Sequence, residues 1–398
     1  MQFDVIIIGS GIVGLATALK IKQARPSLRL LILEKEKNIA LHQTGNNSGV
    51  IHSGLYYKPN SLKASNCING YNQLIEFCKN EEIPFDLCGK IVVATSTEEE
   101  QLMNVLYDRG VQNGLKGLKI LKKEQLHEYE PYVNGVAGIF VPQTGIVNYK
   151  HVSEKYLEKI KLLDGEISFG QKVIEINKKG HPTEVVTEQQ TFQTKLLVNC
   201  AGLYSDKIAR MTMPDINYKI IPFRGEYFEL TKEKEYLVKN LIYPVPDPNF
   251  PFLGVHFTRM IGGGIEAGPN AVLALKREGY KKTDFHAGEL IETLRWPGFQ
   301  KVAAKYWKTG FGEIYRSISK AAFTKALQKL MPDITEKDLK PGGAGVRAQA
   351  CDKDGGLIDD FLILRTEGVV NVCNAPSPAA TSSLAIGDTV AKLVLNGH

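Results

Sequence analysis

Six residues near the start of the chain carry its clearest chemistry. Gly9-Ser10-Gly11-Ile12-Val13-Gly14 follows at once on the apolar run Phe3 to Ile8, and an apolar-periodic segment continues to about Gln23. At this spacing the first glycine permits a tight turn, the second lets the backbone approach a pyrophosphate, and the third allows close helix–strand packing. The exposed N–H groups and the positive end of the following helix would hold phosphate oxygens. A second apolar run, Arg29 to Leu33, ends at Glu34, twenty residues after Gly14, where an acid accepts hydrogen bonds from an adenosine ribose. Strand, turn, helix, second strand and terminal acid fall in register and predict an adenine dinucleotide site. NAD and FAD both satisfy it. Gly262, Gly264 and Ala267 spell a similar GxGxxA pattern, but Pro269 follows and no strand–helix–strand unit surrounds it, so a hairpin or loop is expected there.

The segment His42-Gln43-Thr44-Gly45-Asn46-Asn47-Ser48-Gly49-Val50-Ile51-His52-Ser53-Gly54-Leu55-Tyr56-Tyr57 is polar, glycine-rich and full of small donors. It runs into an amphipathic helix with Cys67, Tyr71, Leu74, Ile75 and Cys78 on its apolar side. Here the chain resembles the D-amino-acid oxidase-like FAD-dependent oxidoreductases, and within them the L-2-hydroxyglutarate oxidase/dehydrogenase branch. Four later stretches carry the same resemblance: IIPFRGEYFEL (Ile220 to Leu230), GGGIEAGPNAVLALKREGY (Gly262 to Tyr280), GVRAQACDKDG (Gly345 to Gly355) and NAPSPAATSSLAIGD (Asn374 to Asp388). The resemblance implies FAD as cofactor and an α/β fold: a Rossmann-like FAD-binding domain with a second, substrate domain built on an antiparallel sheet with capping helices. The FAD domain would be discontinuous, from residues 1–88, 146–215 and 335–398. Residues 89–145 and 216–334 would form the substrate domain, with a basic helical stretch at 286–330.

The cofactor residues that the resemblance implies are the six of the glycine turn, Glu34 and Lys35, and Thr44, Gly45, Asn47, Ser48 and Gly49. Val173, in the segment Gly170 to Ile176, would clasp the adenine with its backbone. Ala201 and Gly202 follow a buried strand, Lys195 to Asn199, and let the chain pass close to the cofactor. Thr381, Ser382, Ser383 and Leu384 would open a helix whose N-terminus faces the flavin pyrimidine ring, favouring negative charge at N1/O2.

The same branch oxidises a small 2-hydroxy acid at Cα, which implies a small dicarboxylate, L-2-hydroxyglutarate, as substrate and 2-oxoglutarate as product. Such chemistry needs a cation on the carboxylate, a base for the hydroxyl proton, and Cα–H facing flavin N5. Arg347 matches the arginine that the family uses to clamp a carboxylate bidentately. Its alternative is a structural partnership with Asp352, Asp359 or Asp360. Histidine is the natural base, with an ordinary pKa of about 6.5. Of eight histidines, His52 in the flavin-proximal motif ranks ahead of His256, which sits in a strand-like run from Phe252 to Met260. Either could instead be packed for structure. A five-carbon diacid also needs a second donor cluster. Arg224, Arg259 and Lys58 are cationic candidates beside the turn Gly268-Pro269-Asn270, while Tyr56, Tyr227 and Asn270 offer neutral hydrogen bonds. Glycerol-3-phosphate or a small amine is the alternative substrate, and a redox-silent flavin-binding scaffold at a membrane is the non-enzyme alternative.

Composition bounds these readings. At 398 residues, 43% hydrophobic and 23% charged, the chain suits two intimately joined globular domains. Its six cysteines lack metal-ligand spacing and read as reduced thiols, with no metal expected. No stretch reaches the roughly 20 apolar residues that cross a bilayer. The first strand begins at about Phe3, leaving no room for a leader, so a cytoplasmic location is expected, at most peripheral on the inner membrane. The net charge of +6 is concentrated between Lys276 and Lys329, where twelve Lys/Arg face five Asp/Glu. No nucleic-acid motif accompanies it, and no nucleic-acid partner is expected. His286 to Leu330 reads as consecutive helices broken at Pro297-Gly298 and Gly310. They carry Trp296, Phe299, Tyr306, Trp307 and Phe311 among Lys301, Lys305, Lys308 and Lys320. That mixture suits interfacial contact with a membrane holding a quinone acceptor, or simply packed aromatics beside solvated lysines. Thr97-Glu98-Glu99-Glu100 predicts a capped helix start, with Leu102, Val105 and Leu106 on its apolar side.

Overall fold

In the computed structural model, every residue is described except 179, 181, 249–252 and 397–398. The opening apolar run forms the strand Gln2–Ile8, whose Val5, Ile6 and Ile7 are fully buried. It lies between two parallel neighbours, Leu30–Leu33 and Thr191–Asn199. Strands apolar at every position are what a sheet covered on both faces requires. Glu166–Ser168 extends this sheet beyond Leu30–Leu33, and Val369–Asn374 joins Thr191–Asn199 in parallel. Helices Ile12–Ala24, Tyr149–Leu162 and Ser383–Leu395 cover one face, sharing a core that includes Leu15, Leu19, Ile32, Tyr156, Val198 and Val390.

A nine-stranded second sheet runs in the order Val272–Leu273, Tyr218–Leu230, Ile265–Gly268, His256–Arg259, Leu241–Pro244, Lys90–Ala94, Ala137–Val141, Lys119–Lys122, with Leu339–Asp352 also on Tyr218–Leu230. Two features depart from expectation. Leu241–Pro244 and Lys90–Ala94 pair in parallel, so the sheet is mixed and not wholly antiparallel. The strand Leu339–Asp352, expected with the FAD domain, pairs from Tyr218↔Asp352 to Leu230↔Leu339 in the second sheet. The chain returns to the first sheet only after it.

The GxGxxA decoy is a hairpin: Ile265–Gly268 runs antiparallel to His256–Arg259 through a turn with Gly263 and Gly264 at φ +90° and +89°. Of the strand-like run expected from Phe252, the strand itself is His256–Arg259, and Phe252 lies outside the described residues. The helix near Thr97 starts one residue earlier than its cap signal, with Ser96 Oγ accepting from Glu99 N. It buries Met103 and Leu106, while Leu102 and Val105 are exposed. The basic stretch forms Ala287–Leu294, Pro297–Ile318 and Lys320–Leu327. It breaks before Pro297 as expected but runs through Gly310, kinking instead at Tyr306 (φ −110°, ψ 20°). A helix tolerates one glycine at a cost of about 1 kcal/mol, which is too little to end it.

Candidate active site

A cavity of about 310 Å³ lies between the two sheets. Its floor at one end is the glycine turn. Gly9 has φ +101°, and a Cβ there would meet Cys200 O at 2.6 Å; one on Gly14 would meet Gly9 O at 2.1 Å. These two glycines close the strand, the helix and the next strand against each other. Gly11 is different: a Cβ there would meet only Thr44 Oγ1, at 3.5 Å. Gly11, Ile12, Val13 and Gly14 line the cavity. The helix above them has no acidic residue in its first turn to compete with an anion.

Glu34 is buried and its carboxylate braces the turn. Oε2 accepts from Ser10 N (2.8 Å) and Ser10 Oγ (2.6 Å), and Oε1 accepts from Glu36 N (3.0 Å). Each oxygen accepts two bonds, so Oε1 retains capacity for a ribose hydroxyl. Lys35 does not face the cavity as a free cation; it pairs with Glu36 (2.5 Å) and Glu278 (2.6 Å). Thr44, Asn47 and Ser48 line the cavity, with Thr44 Oγ1 accepting from Ile12 N (3.0 Å). Gly45 and Gly49 do not. Cβ atoms there would strike the Ala40 and Val147 carbonyls, so their role is to turn the chain. Gly202 is at the wall beside Cys200, whereas Ala201 and Val173 are not part of it.

The C-terminal helix, Ser383–Leu395, starts directly behind the cavity wall. Thr381, Ser382, Ser383 and Leu384 are buried and outside the cavity wall, which is built by the preceding residues, from Asn374 to Ala380. The four serve as scaffold. Thr381 Oγ1 accepts from His52 N (3.1 Å) and bonds to Tyr149 Oη (2.8 Å), and Ser382 packs so tightly that a Cβ on Gly70 would strike it.

His52 also lines the cavity, its Nε2 3.3 Å from Ser377 Oγ. Burial, then the charge of Lys90 and further cations, pushes its pKa down to about 3. His256 is buried behind the wall, stacked on Tyr243 at 4.0 Å, with Nδ1 2.9 Å from Gly254 O. Burial pushes it down to about 4. Both imidazoles are therefore neutral at ordinary pH, and weak bases until an anion beside them raises their basicity. Arg347 and Tyr227 reach the same wall. Burial among protein atoms lowers the Arg347 pKa and raises that of Tyr227.

The expected second donor cluster is mostly occupied elsewhere. Arg224 reaches the wall but donates to Glu226 (Nε–Oε1 3.0 Å) and to Lys281 O (3.1 Å). Asn270 braces the same carboxylate with Nδ2 (3.1 Å) and accepts from Glu226 N (2.8 Å). Arg259 is ion-paired with Asp86 and is not at the wall, Lys58 is exposed, and Tyr56 stands behind the wall. Each local carboxylate captures its cation, and no spacing in the sequence shows that. Sequence reasoning missed Gln43, whose Oε1 accepts from Ala348 N, as well as Tyr149 and Lys90. For Lys90 a signal existed: a lysine opens an otherwise apolar strand, Lys-Ile-Val-Val-Ala.

The model of the FAD dependent oxidoreductase family DAO matches residues 4–393. The chain belongs to this family. A L-2-hydroxyglutarate dehydrogenase of Indibacter alkaliphilus is 63% identical over 99% of both chains. The Escherichia coli K12 protein of that name is 44% identical over 97% of this chain and 92% of its own, and the human mitochondrial one 44% over 98% and 88%. Among solved structures, the FAD-bound L-alpha-glycerophosphate oxidase of Mycoplasma pneumoniae superposes with a TM-score of 0.81 at 23% identity, covering 99% of this chain and 95% of that one. That likeness concerns the fold. FAD is the cofactor of this DAO-family chain, and its residues fit one: bare Gly11 leaves the cavity side of the turn open where the helix N-terminus would meet a pyrophosphate.

Proposed function

We propose that the chain oxidises L-2-hydroxyglutarate to 2-oxoglutarate and passes the electrons to a quinone or to oxygen. The observation that carries this reading is a guanidinium, Arg347, and a neutral imidazole, His52, lining the same cavity as the glycine turn. The 63% identical relative bearing the L-2-hydroxyglutarate dehydrogenase name supports the choice of substrate. Arg347 binds the C1 carboxylate through two parallel N–H···O bonds and so orients Cα. His52 takes the hydroxyl proton on a ring nitrogen, which its depressed pKa keeps vacant at neutral pH. The flavin, when bound, supplies the two-electron acceptor for the hydride leaving Cα. The turn carrying Ser377, backed by buried Thr381 to Leu384, sets its hydroxyl 3.3 Å from His52 Nε2 at the cavity wall. Anaerobic addition of L-2-hydroxyglutarate to the purified holoprotein is expected to bleach the oxidised-flavin absorbance. Bleaching by glycerol-3-phosphate or an amine, with none by L-2-hydroxyglutarate, rejects the reading.

A peripheral membrane contact on the cytoplasmic face is a second proposal. Trp307, Phe311, Ile314, Tyr315 and Ile318 are all exposed along one helix, whereas Trp296, Phe299 and Tyr306 pack against Ile221, Val302 and Cys351. Exposed aromatics at helical spacing beside Lys301, Lys305 and Lys308 suit an anionic lipid surface and access to a membrane quinone. No helix among the described residues is long and apolar enough to cross a membrane. Co-sedimentation with anionic vesicles at low salt, weakened by Trp307→Ser with Phe311→Ser, is the expected result; absence of binding at low salt discards the proposal.

A further inference from the structure

Lys90 is 1% exposed at the head of a strand buried at every position. Among the described residues its ammonium has neither a hydrogen-bond acceptor nor a carboxylate partner. It is covered instead by aromatic rings, with Nζ 4.2 Å from the Tyr56 centroid and 5.1 Å from that of Tyr243. Tyr243 in turn stacks on His256. The hydroxyl of Tyr56 is also buried and makes no hydrogen bond. Lys90 thus sits one ring from His256, and its charge adds to the burial that depresses both His52 and His256.

The other cations nearby are satisfied: Arg224 by Glu226, Arg259 by Asp86 and Lys63 by Asp359. A buried ammonium without an anion is costly, and such a group gives up its proton unless an anion joins it. Burial has already brought Lys90 down to about 7 from its ordinary 10.5, so an incoming carboxylate would restore its full charge.

We propose that Lys90, with the Tyr56 hydroxyl as its neutral companion, receives the second carboxylate of the substrate and sets the preference for a diacid over a monocarboxylate. The proposal rests on the reading of the site given under Proposed function. A dianion held beside neutral His52, with neutral His256 behind the wall, needs two cations; Arg347 at the wall supplies one and Lys90, behind it, the other.

The test is Lys90→Met holoenzyme assayed with L-2-hydroxyglutarate and with L-2-hydroxyvalerate, which has the same carbon chain without the second carboxylate. Loss of one charged hydrogen bond predicts a KM for the diacid raised about ten- to a hundredfold, with kcat/KM for the monocarboxylate held or improved and flavin retained. Equal losses on both substrates assign Lys90 to the histidines or to folding and overturn the proposal, as does an unchanged diacid KM. If Lys90→Met retains no flavin, Lys90→Arg is read instead: it must keep the diacid preference, and loss of that preference overturns the proposal. Wild-type protein that does not oxidise the diacid at all rejects the parent reading, a separate outcome.

Discussion

The pyrophosphate end of the cavity and its substrate end are built in opposite ways. The first is contiguous: Gly9 to Gly14 present backbone atoms, and one acid, Glu34, fixes the turn from the next strand. The second, as proposed, gathers side chains from remote segments: His52 from a loop, with Tyr227 and Arg347 at the wall and Lys90 and His256 behind it, from four strands of the second sheet. Backbone donors need only the right conformation, so a short motif suffices. A pocket for a charged acid depends on which cations lack a local carboxylate, and that is settled by packing across the whole sheet.

The sharpest way to break this contrast is within the glycine turn. Gly14→Ala forces a Cβ to within 2.1 Å of Gly9 O, so the turn cannot close, and soluble flavin-bearing protein is expected to be lost. Gly11→Ala meets nothing nearer than 3.5 Å and should fold with melting behaviour close to that of wild-type apoprotein while failing to retain flavin. A Gly11→Ala protein that holds flavin normally shows that the pyrophosphate does not lie on this turn.

At the substrate end, Arg347→Met removes a bidentate, charged contact. Two such bonds lost predict a fall in kcat/KM of about a hundred- to ten-thousandfold with flavin still bound. A loss below tenfold, read from stopped-flow reduction, means that Arg347 does not hold the substrate.

Between the ends runs the buried pair Arg277–Asp206, doubly bonded at 2.6 and 2.8 Å, which ties the segment after Val272–Leu273 to the helix Ser205–Thr212. Breaking one partner of a buried pair costs about 3–5 kcal/mol. Asp206→Asn should therefore lower the melting temperature markedly while leaving the KM of the surviving enzyme unchanged. A shift in KM without loss of stability would place the pair in the site.

The smallest effect concerns pH. With His52 and His256 held at about 3 and about 4, neither gains a proton on going from about pH 8 to about pH 6. The rate of flavin reduction at saturating substrate should be flat over that interval, whereas KM should rise above about pH 7 as free Lys90 loses its proton. A fall centred on 6.5, the ordinary histidine value, assigns the base to an exposed histidine instead.

How far the sequence could be read follows from the same contrast. The turn, its two strands, the hairpin at Gly263 and the helix near Cys67 were legible because each rests on local periodicity or on a conformation only glycine adopts. Arg347 and His52 both line the cavity. Arg259 does not, since Asp86 lies 173 positions away in sequence and captures it. Thr381 to Leu384 stand directly behind the residues that line the cavity, and a loop that lines a cavity and the helix it enters carry the same small residues.

What the sequence by itself determined is the family and the dinucleotide end, where short-range sterics leave a single arrangement. What only the tertiary structure decided is the charge map of the substrate end. Whether a lysine or arginine is available to a ligand depends on long-range partners, and these meet only when both sheets close around the cavity.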